Sequence, residues 1–234
     1  MNYRKTFIQI KKLSTTLLFF TLCNICAPER TFFTIMLDPT GDNAYAGRRI
    51  EDSYERTLTL QIAQAAQQQI ESLYRNVRVI ITRVPGERSE PLQNASFANR
   101  LPADFYCSLN LFQAKKSNAS LFIYFLQKST DQQVAHKAQT LSFIPYYEAH
   151  QKTLPLTQQI AAEVHSALHQ DYARYFTIHK PLGIPYAPFI GIQCPALCLE
   201  IGISKKDDGA TAIAPLVTIL EKAVTLIKAQ KGWS

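Results

Sequence analysis

Apolar and polar positions along the chain follow two different periods. Short, nearly continuous apolar runs at residues 31–37, 77–81, 103–109, 119–126 and 196–201 predict strands buried on both faces. Longer stretches repeat apolar residues at spacings of three and four, which is helical periodicity. Residues 51–74 do so through Leu58, Ile62, Ala66, Ile70 and Leu73, and residues 156–175 through Leu156, Ile160, Val164, Leu168 and Tyr172. Residues 210–229 do so through Ile213, Leu216, Val217, Leu220, Val224 and Ile227. A short helix is predicted at 92–100, and residues 140–147 hold either a strand or the start of a loop. Strands separated by helices predict an α/β three-layer sandwich, a mostly parallel mixed sheet flanked by helices. Chemistry in such sheets gathers beyond the carboxyl ends of the strands, here residues 38–43, 82–83, 108–112 and 200–204.

The first residues have a different character. Arg4, Lys5, Lys11 and Lys12 stand without an acid before the apolar stretch 13–26. That order reads as a secretory signal with Ala27 at a possible cleavage point. Ile25 departs from the small residue expected two places earlier, which leaves an N-terminal anchor open as the alternative. Residues 1–27 are therefore assigned to a signal peptide or anchor and 28–234 to a single exported domain, in the periplasm or cell envelope, meeting a membrane only through the N-terminal segment. At 47% hydrophobic and 18% charged, the 234-residue chain is too apolar for a disordered protein. Its net charge of +7 falls to +3 without the four basic residues of the leader. No basic run interleaved with aromatics remains, so nucleic acid is not an expected partner. Cys107, Cys194 and Cys198 lack C-x-x-C spacing and read as buried small hydrophobes, with a Cys194–Cys198 or Cys107–Cys198 bridge left open.

Six blocks in order carry a resemblance. They are Asp38-Pro39-Thr40-Gly41-Asp42-Asn43; Glu55-Arg56-Thr57-Leu58-Thr59-Leu60-Gln61-Ile62-Ala63; Val79-Ile80-Ile81-Thr82-Arg83; Leu92 to Asn99; Ala103 to Phe112; and Pro195 to Ile203. Together they resemble the zinc-dependent N-acetylmuramoyl-L-alanine amidases of bacterial cell walls, whose signature runs D-P-G-H-G-G, E-K/R-x-x-x-L-x-I-A, V-x-x-T-R, L-x-x-R-x-x-x-A-N, A-D-x-x-x-S-I-H-A-N and P-A-x-L-x-E-x-G-F. The resemblance extends from about residue 31 to 227. It implies the amidase fold, peptidoglycan or muropeptide as ligand, an envelope protein as a possible partner, and zinc as cofactor. In the family two histidines and the helix-opening glutamate hold the metal, and the last glutamate is the general base. By position the retained ligand is Glu55 and the base is Glu200.

The departures fall on the chemistry. The family's histidine positions are occupied by Gly41 and Asn110, and residues 1–135 contain no histidine. A catalytic zinc needs about three protein ligands, and neither glycine nor an asparagine amide replaces an imidazole. The resemblance therefore implies a degenerate zinc site in a domain that acts by binding. The alternative is an active amidase with rearranged ligands, hydrolysing the muramoyl-L-alanine amide bond. Such ligands would come from His136, His150, the i, i+4 pair His165 and His169, or His179, which precedes the Glu200 strand. Asp38, Asp42, Glu55 and Glu200 could also form an oxygen site for a harder cation. Asp42 equally reads as a turn residue, and Asn99 and Asp104 as cap and turn residues. Arg83 and Asn110 are the candidate substrate-binding residues, Arg83 either holding an anionic group or pairing with a local acid. Cys198 lies two places before Glu200 on the same strand face, with no neighbouring histidine to activate it.

Overall fold

The computed structural model describes residues 32–88, 90–114, 119–127 and 145–233. The leader 1–27 and His136 lie outside them, as does most of the segment 140–147. The described residues form one compact unit. Its strands are β1 (Phe33–Pro39), β2 (Arg49–Ile50), β3 (Ser53–Tyr54), β4 (Val77–Ile81), β5 (Phe105–Gln113), β6 (Ser120–Leu126), β7 (Thr177–Ile178), β8 (Leu182–Ile184) and β9 (Ala196–Ile203). Its α-helices are α1 (Glu55–Leu73), α2 (Pro91–Arg100), α3 (Leu154–Tyr172) and α4 (Ile213–Lys231).

The main sheet has seven strands in the order β4-β1-β5-β9-β6-β7, with β8 also paired to β6. Every pairing in it is parallel except β6 with β9. This is the predicted mostly parallel mixed sheet. Strand alternation sorts its side chains to two cores. Phe33, Ile35, Leu37, Cys107, Leu109, Leu111, Leu199 and Ile201 face a large core closed by α1, α3 and α4. Met36, Tyr106 and Cys198 face a smaller one with Ala95 and Ala98 of α2 and Phe189. α4 is long and apolar enough by composition to cross a membrane, but half of that window is buried, with Leu216, Leu220, Val224 and Ile227 in the large core.

The predicted elements differ from the observed ones mainly at their ends. β5 starts at Phe105 rather than 103, because the Asp104 carboxylate accepts the Thr34 amide (2.8 Å) and pairs with Lys231 (2.5 Å). It runs on to Gln113 because β9 pairs with it as far as Ile203. Tyr146 and Tyr147 belong to a 3₁₀ helix, Tyr146–Thr153. The disulfides left open in the sequence are not formed among Cys107, Cys194 and Cys198. Cys107 registers with Leu197 and Cys198 with Ser108, so the two thiols point to opposite faces of the sheet.

Candidate functional site

The face that carries the smaller core continues past α2 to the carboxyl ends of the strands. There the register aligns Ser108, Asn110 and Phe112 of β5 with Cys198, Glu200 and Gly202 of β9. Tyr124, Phe122 and Ser120 of β6 stand beside Cys198, Glu200 and Gly202. Since every second residue shares a face, three strands bring Asn110, Glu200 and Phe122 into one row. The segment between β1 and α1, residues 40–54, closes over the end of this row.

Glu55 opens α1 and is buried. Its two carboxylate oxygens accept two backbone amides, Leu111 N–H at 2.8 Å and Arg48 N–H at 2.9 Å. The loop answers in kind: Arg48 and Ala46 carbonyls accept the Glu55 and Arg56 amides (2.8 and 3.1 Å), groups at a helix start that no side chain caps. Gly47, at φ +74°, permits the approach, since a Cβ there would stand 2.7 Å from Glu55 Oε2.

Glu200 carries the second carboxylate, with its side chain 14% exposed. Arg48 Nη1 donates to Glu200 Oε1 at 2.5 Å, and the Tyr124 hydroxyl donates to Oε2 at 3.1 Å. Burial, then the neighbouring carboxylate, pushes the Tyr124 hydroxyl up to about 12. The same Arg48 nitrogen reaches the Leu111 carbonyl at 3.3 Å, and the guanidinium lies 5.9 Å from the centre of the Phe112 ring. Burial works to lower the Arg48 pKa, but Glu200, followed by Glu55 and Tyr45, outweighs it, so the cation is stabilised overall.

Asn110 is half-buried and turned to neutral partners. Thr40 Oγ1 donates to its side-chain oxygen, and its amide donates to the Tyr186 hydroxyl (3.2 Å) and the Cys198 sulfur (3.4 Å). Gly41 has φ +90°, and a Cβ there would fall 2.5 Å from Arg56 Cβ. Burial holds the Cys198 thiol up at about 12 and raises Tyr186 strongly, so neither offers an anion near neutral pH.

Arg83 does not face this row of side chains. It is buried, its Nε donating to the Pro39 carbonyl (2.9 Å) and its Nη2 to the Arg56 and Thr40 carbonyls (2.7 and 3.3 Å). These hydrogen bonds to backbone carbonyls buttress the turn after β1; burial lowers the Arg83 pKa, while the neighbouring Asp38 and Asp42, local acids of the kind the sequence reading offered, act to raise it. Asp38 accepts Thr82 Oγ1 (2.6 Å) and Asn94 Nδ2 (3.3 Å), and burial raises its pKa. Asp42 is a turn residue, accepting the Ala44 and Tyr45 amides at 2.8 and 2.6 Å. Asn99 bonds Gly191 O and Gln193 N (2.8 and 3.1 Å), tying α2 to the chain ahead of β9.

Of the histidines, His179 comes to the site, stacked on Phe122 at 4.0 Å and 6°, one strand from Glu200. Phe112 and Tyr124 lie 6.1 Å to either side of Phe122, and Gly202 makes room for the Phe112 ring. His165 and His169 face each other on α3, 6.1 Å apart, and His150 is buried in the 3₁₀ helix. Arg48, Tyr124, Tyr186 and the aromatic row are additions that the sequence did not single out.

These residues do not fit a zinc ion. Glu55 accepts two amides, Gly41 has no donor, Asn110 is held by Thr40, Tyr186 and Cys198, and a guanidinium occupies Glu200. Among the described residues no three His, Cys, Asp or Glu side chains converge into a metal-holding group.

No protein-family model matches the chain, and no curated protein matches it in sequence. Solved structures do. The catalytic domain of CwlV, an N-acetylmuramoyl-L-alanine amidase from Bacillus (Paenibacillus) polymyxa, superposes with a TM-score of 0.55 at 14% identity over 86% of this chain and 99% of that one. An N-acetylmuramoyl-L-alanine amidase from Clostridium difficile 630 gives 0.57 at 18% identity, covering 85% and 96%. The CwlD amidase of Clostridioides difficile, solved in complex with the GerS lipoprotein, gives 0.51 at 16%, covering 85% and 96%. The fold of this chain is that of N-acetylmuramoyl-L-alanine amidase catalytic domains.

Proposed function

We propose that this chain is an exported, amidase-fold domain of the bacterial cell envelope that engages peptidoglycan or muropeptides through the groove at the strand ends without zinc-dependent hydrolysis. The observation that carries this reading is the state of the two carboxylates. A metal amidase needs one to ligate and the other to activate a metal-bound water, since the metal is what brings that water's pKa near 7. Here Glu55 accepts Leu111 and Arg48 amides, and Glu200 accepts Arg48 and Tyr124. Support for the ligand class comes from the fold, which is that of N-acetylmuramoyl-L-alanine amidases, and from the row of Phe112, Phe122, Tyr124 and His179 beside Glu200. Flat apolar rings with polar edges suit one face of a sugar. The CwlD–GerS complex supports an envelope protein as a further partner on this fold.

The test is co-sedimentation of the full chain with purified peptidoglycan sacculi, alongside assay of soluble muropeptides for released stem peptide with zinc present. Saturable binding without release is the expected result. Release that follows added zinc would reinstate the amidase with rearranged ligands, and sedimentation no better than an unrelated α/β domain would overturn the binding role.

A further inference from the structure

We infer that Arg48 is a built-in cation that takes the place of a metal in this site, so that the loop closure and the charge balance around Glu200 depend on a side chain of the chain itself. The guanidinium is placed for this. Its Nη1 touches the carboxylate at the family's base position (Glu200, 2.5 Å) and the carbonyl next to the family's second histidine position (Leu111, 3.3 Å). The Arg48 amide, in turn, holds the carboxylate at the family's remaining ligand position (Glu55, 2.9 Å). One residue thus holds both carboxylates, the base-position one through its guanidinium and the remaining ligand-position one through its backbone amide, and lies beside the second histidine position. Asn110 accordingly satisfies Thr40 and Tyr186, and Gly41 adopts a positive-φ backbone that residues with a side chain rarely take.

Electrostatics gives the same account. Glu200 is mostly buried, and an uncompensated carboxylate there would carry a large desolvation cost without its partner. The Tyr124 hydroxyl supplies a hydrogen bond but no charge. Arg48 supplies the charge, and half of its side chain remains in water, which limits its own desolvation. The role is positioning, since Arg48 acts through Glu200 and the 40–54 loop. It stands independently of whether the groove binds peptidoglycan.

The experiment is a thermal-unfolding cycle on the full chain with Arg48→Met, Glu200→Gln, the double variant, and Arg48→Lys. Arg48→Met keeps much of the stem packing on Phe112 but strands Glu200, and is expected to lower Tm by about 3–6 °C. Adding Glu200→Gln to Arg48→Met removes the stranded charge and is expected to restore at least half of the loss; Arg48→Lys is expected to lose less than Arg48→Met. If Arg48→Met alone does not fold, recovery of a folded double variant supports the same conclusion. A double variant as unstable as Arg48→Met, or still unfolded, would mean that Arg48 acts through packing and would overturn the inference. A second readout uses zinc alone. Tenfold molar zinc is expected to leave the native Tm within about 1 °C, whereas a chelator-reversible rise of several degrees would overturn the inference.

Discussion

Glu55→Gln separates a glutamate that clamps backbone from one that waits for a metal. The native carboxylate accepts Leu111 N–H and Arg48 N–H at 2.8 and 2.9 Å in a site 2% exposed. Glutamine has nearly the same shape but one acceptor. It can keep one amide as a neutral bond of about 1 kcal/mol in place of a charge-assisted one of about 1.5–3, and must turn its NH₂ toward the other amide, leaving that N–H unsatisfied at about 1–3 kcal/mol. The expected loss is about 2–4 kcal/mol, large against a total stability of about 5–15. Urea unfolding followed by circular dichroism would measure it, in chelator and again with zinc, and the loss should be the same in both. A change below about 0.5 kcal/mol would refute the clamp, because surface substitutions reach that size without breaking anything. A loss that appears only with zinc would refute it as well, since the glutamate would then be acting as a ligand.

Three further outcomes are expected. Gly41→His, alone or with Asn110→His, should destabilise the chain by about 2–4 kcal/mol in urea, since it joins a positive φ to a clash with Arg56 and the loop cannot absorb both; tight zinc uptake by the double variant would contradict this. Asp38 has a raised folded pKa, so its contribution is fully present below the unfolded value near 3.9 and is lost as pH rises through the folded value. Relative to Asp38→Asn, the native chain should therefore lose stability as pH rises above about 4, and a parallel pair of curves would argue against burial as the cause. Thiol labelling at pH 8 with peptide mapping should leave Cys107 and Cys198 unmodified until the chain unfolds, because both are buried and burial raises both thiols, Cys198 to about 12; fast native labelling of Cys198 would show an open groove floor.

Much of the fold was legible because apolar periodicity is a local signal. β4 falls at Val77–Ile81 as predicted, and the long helices differ only at their ends. β7 and β8, of two and three residues, are too short to carry a period and exist because β6 offers them an edge. At the site, Glu55 and Glu200 could be located from the order of the blocks, but their partners could not. Arg48 meets Glu200 across 152 positions, and Tyr186 meets Asn110 across 76, contacts that only the closed loop and the aligned strands create. Arg83 shows the same limit: its inward turn depends on the carbonyls of Pro39, Thr40 and Arg56, whose directions no motif encodes.

The turn at Gly41 also sets a direction on how this groove can change. Because its φ is +90° and Arg56 fills the space a side chain would need, an imidazole at this position requires the loop, the first turn of α1 and the Thr40–Asn110 contact to be re-laid together. Each of those steps taken singly loses contacts before a metal can repay them. Placing a metal-ligating side chain at this position is therefore steep, and the strand-end site is more open to change at its aromatic row and at Arg48 than at Gly41. Building a three-ligand metal site on this scaffold would begin with the backbone between β1 and α1, and only then with its ligands.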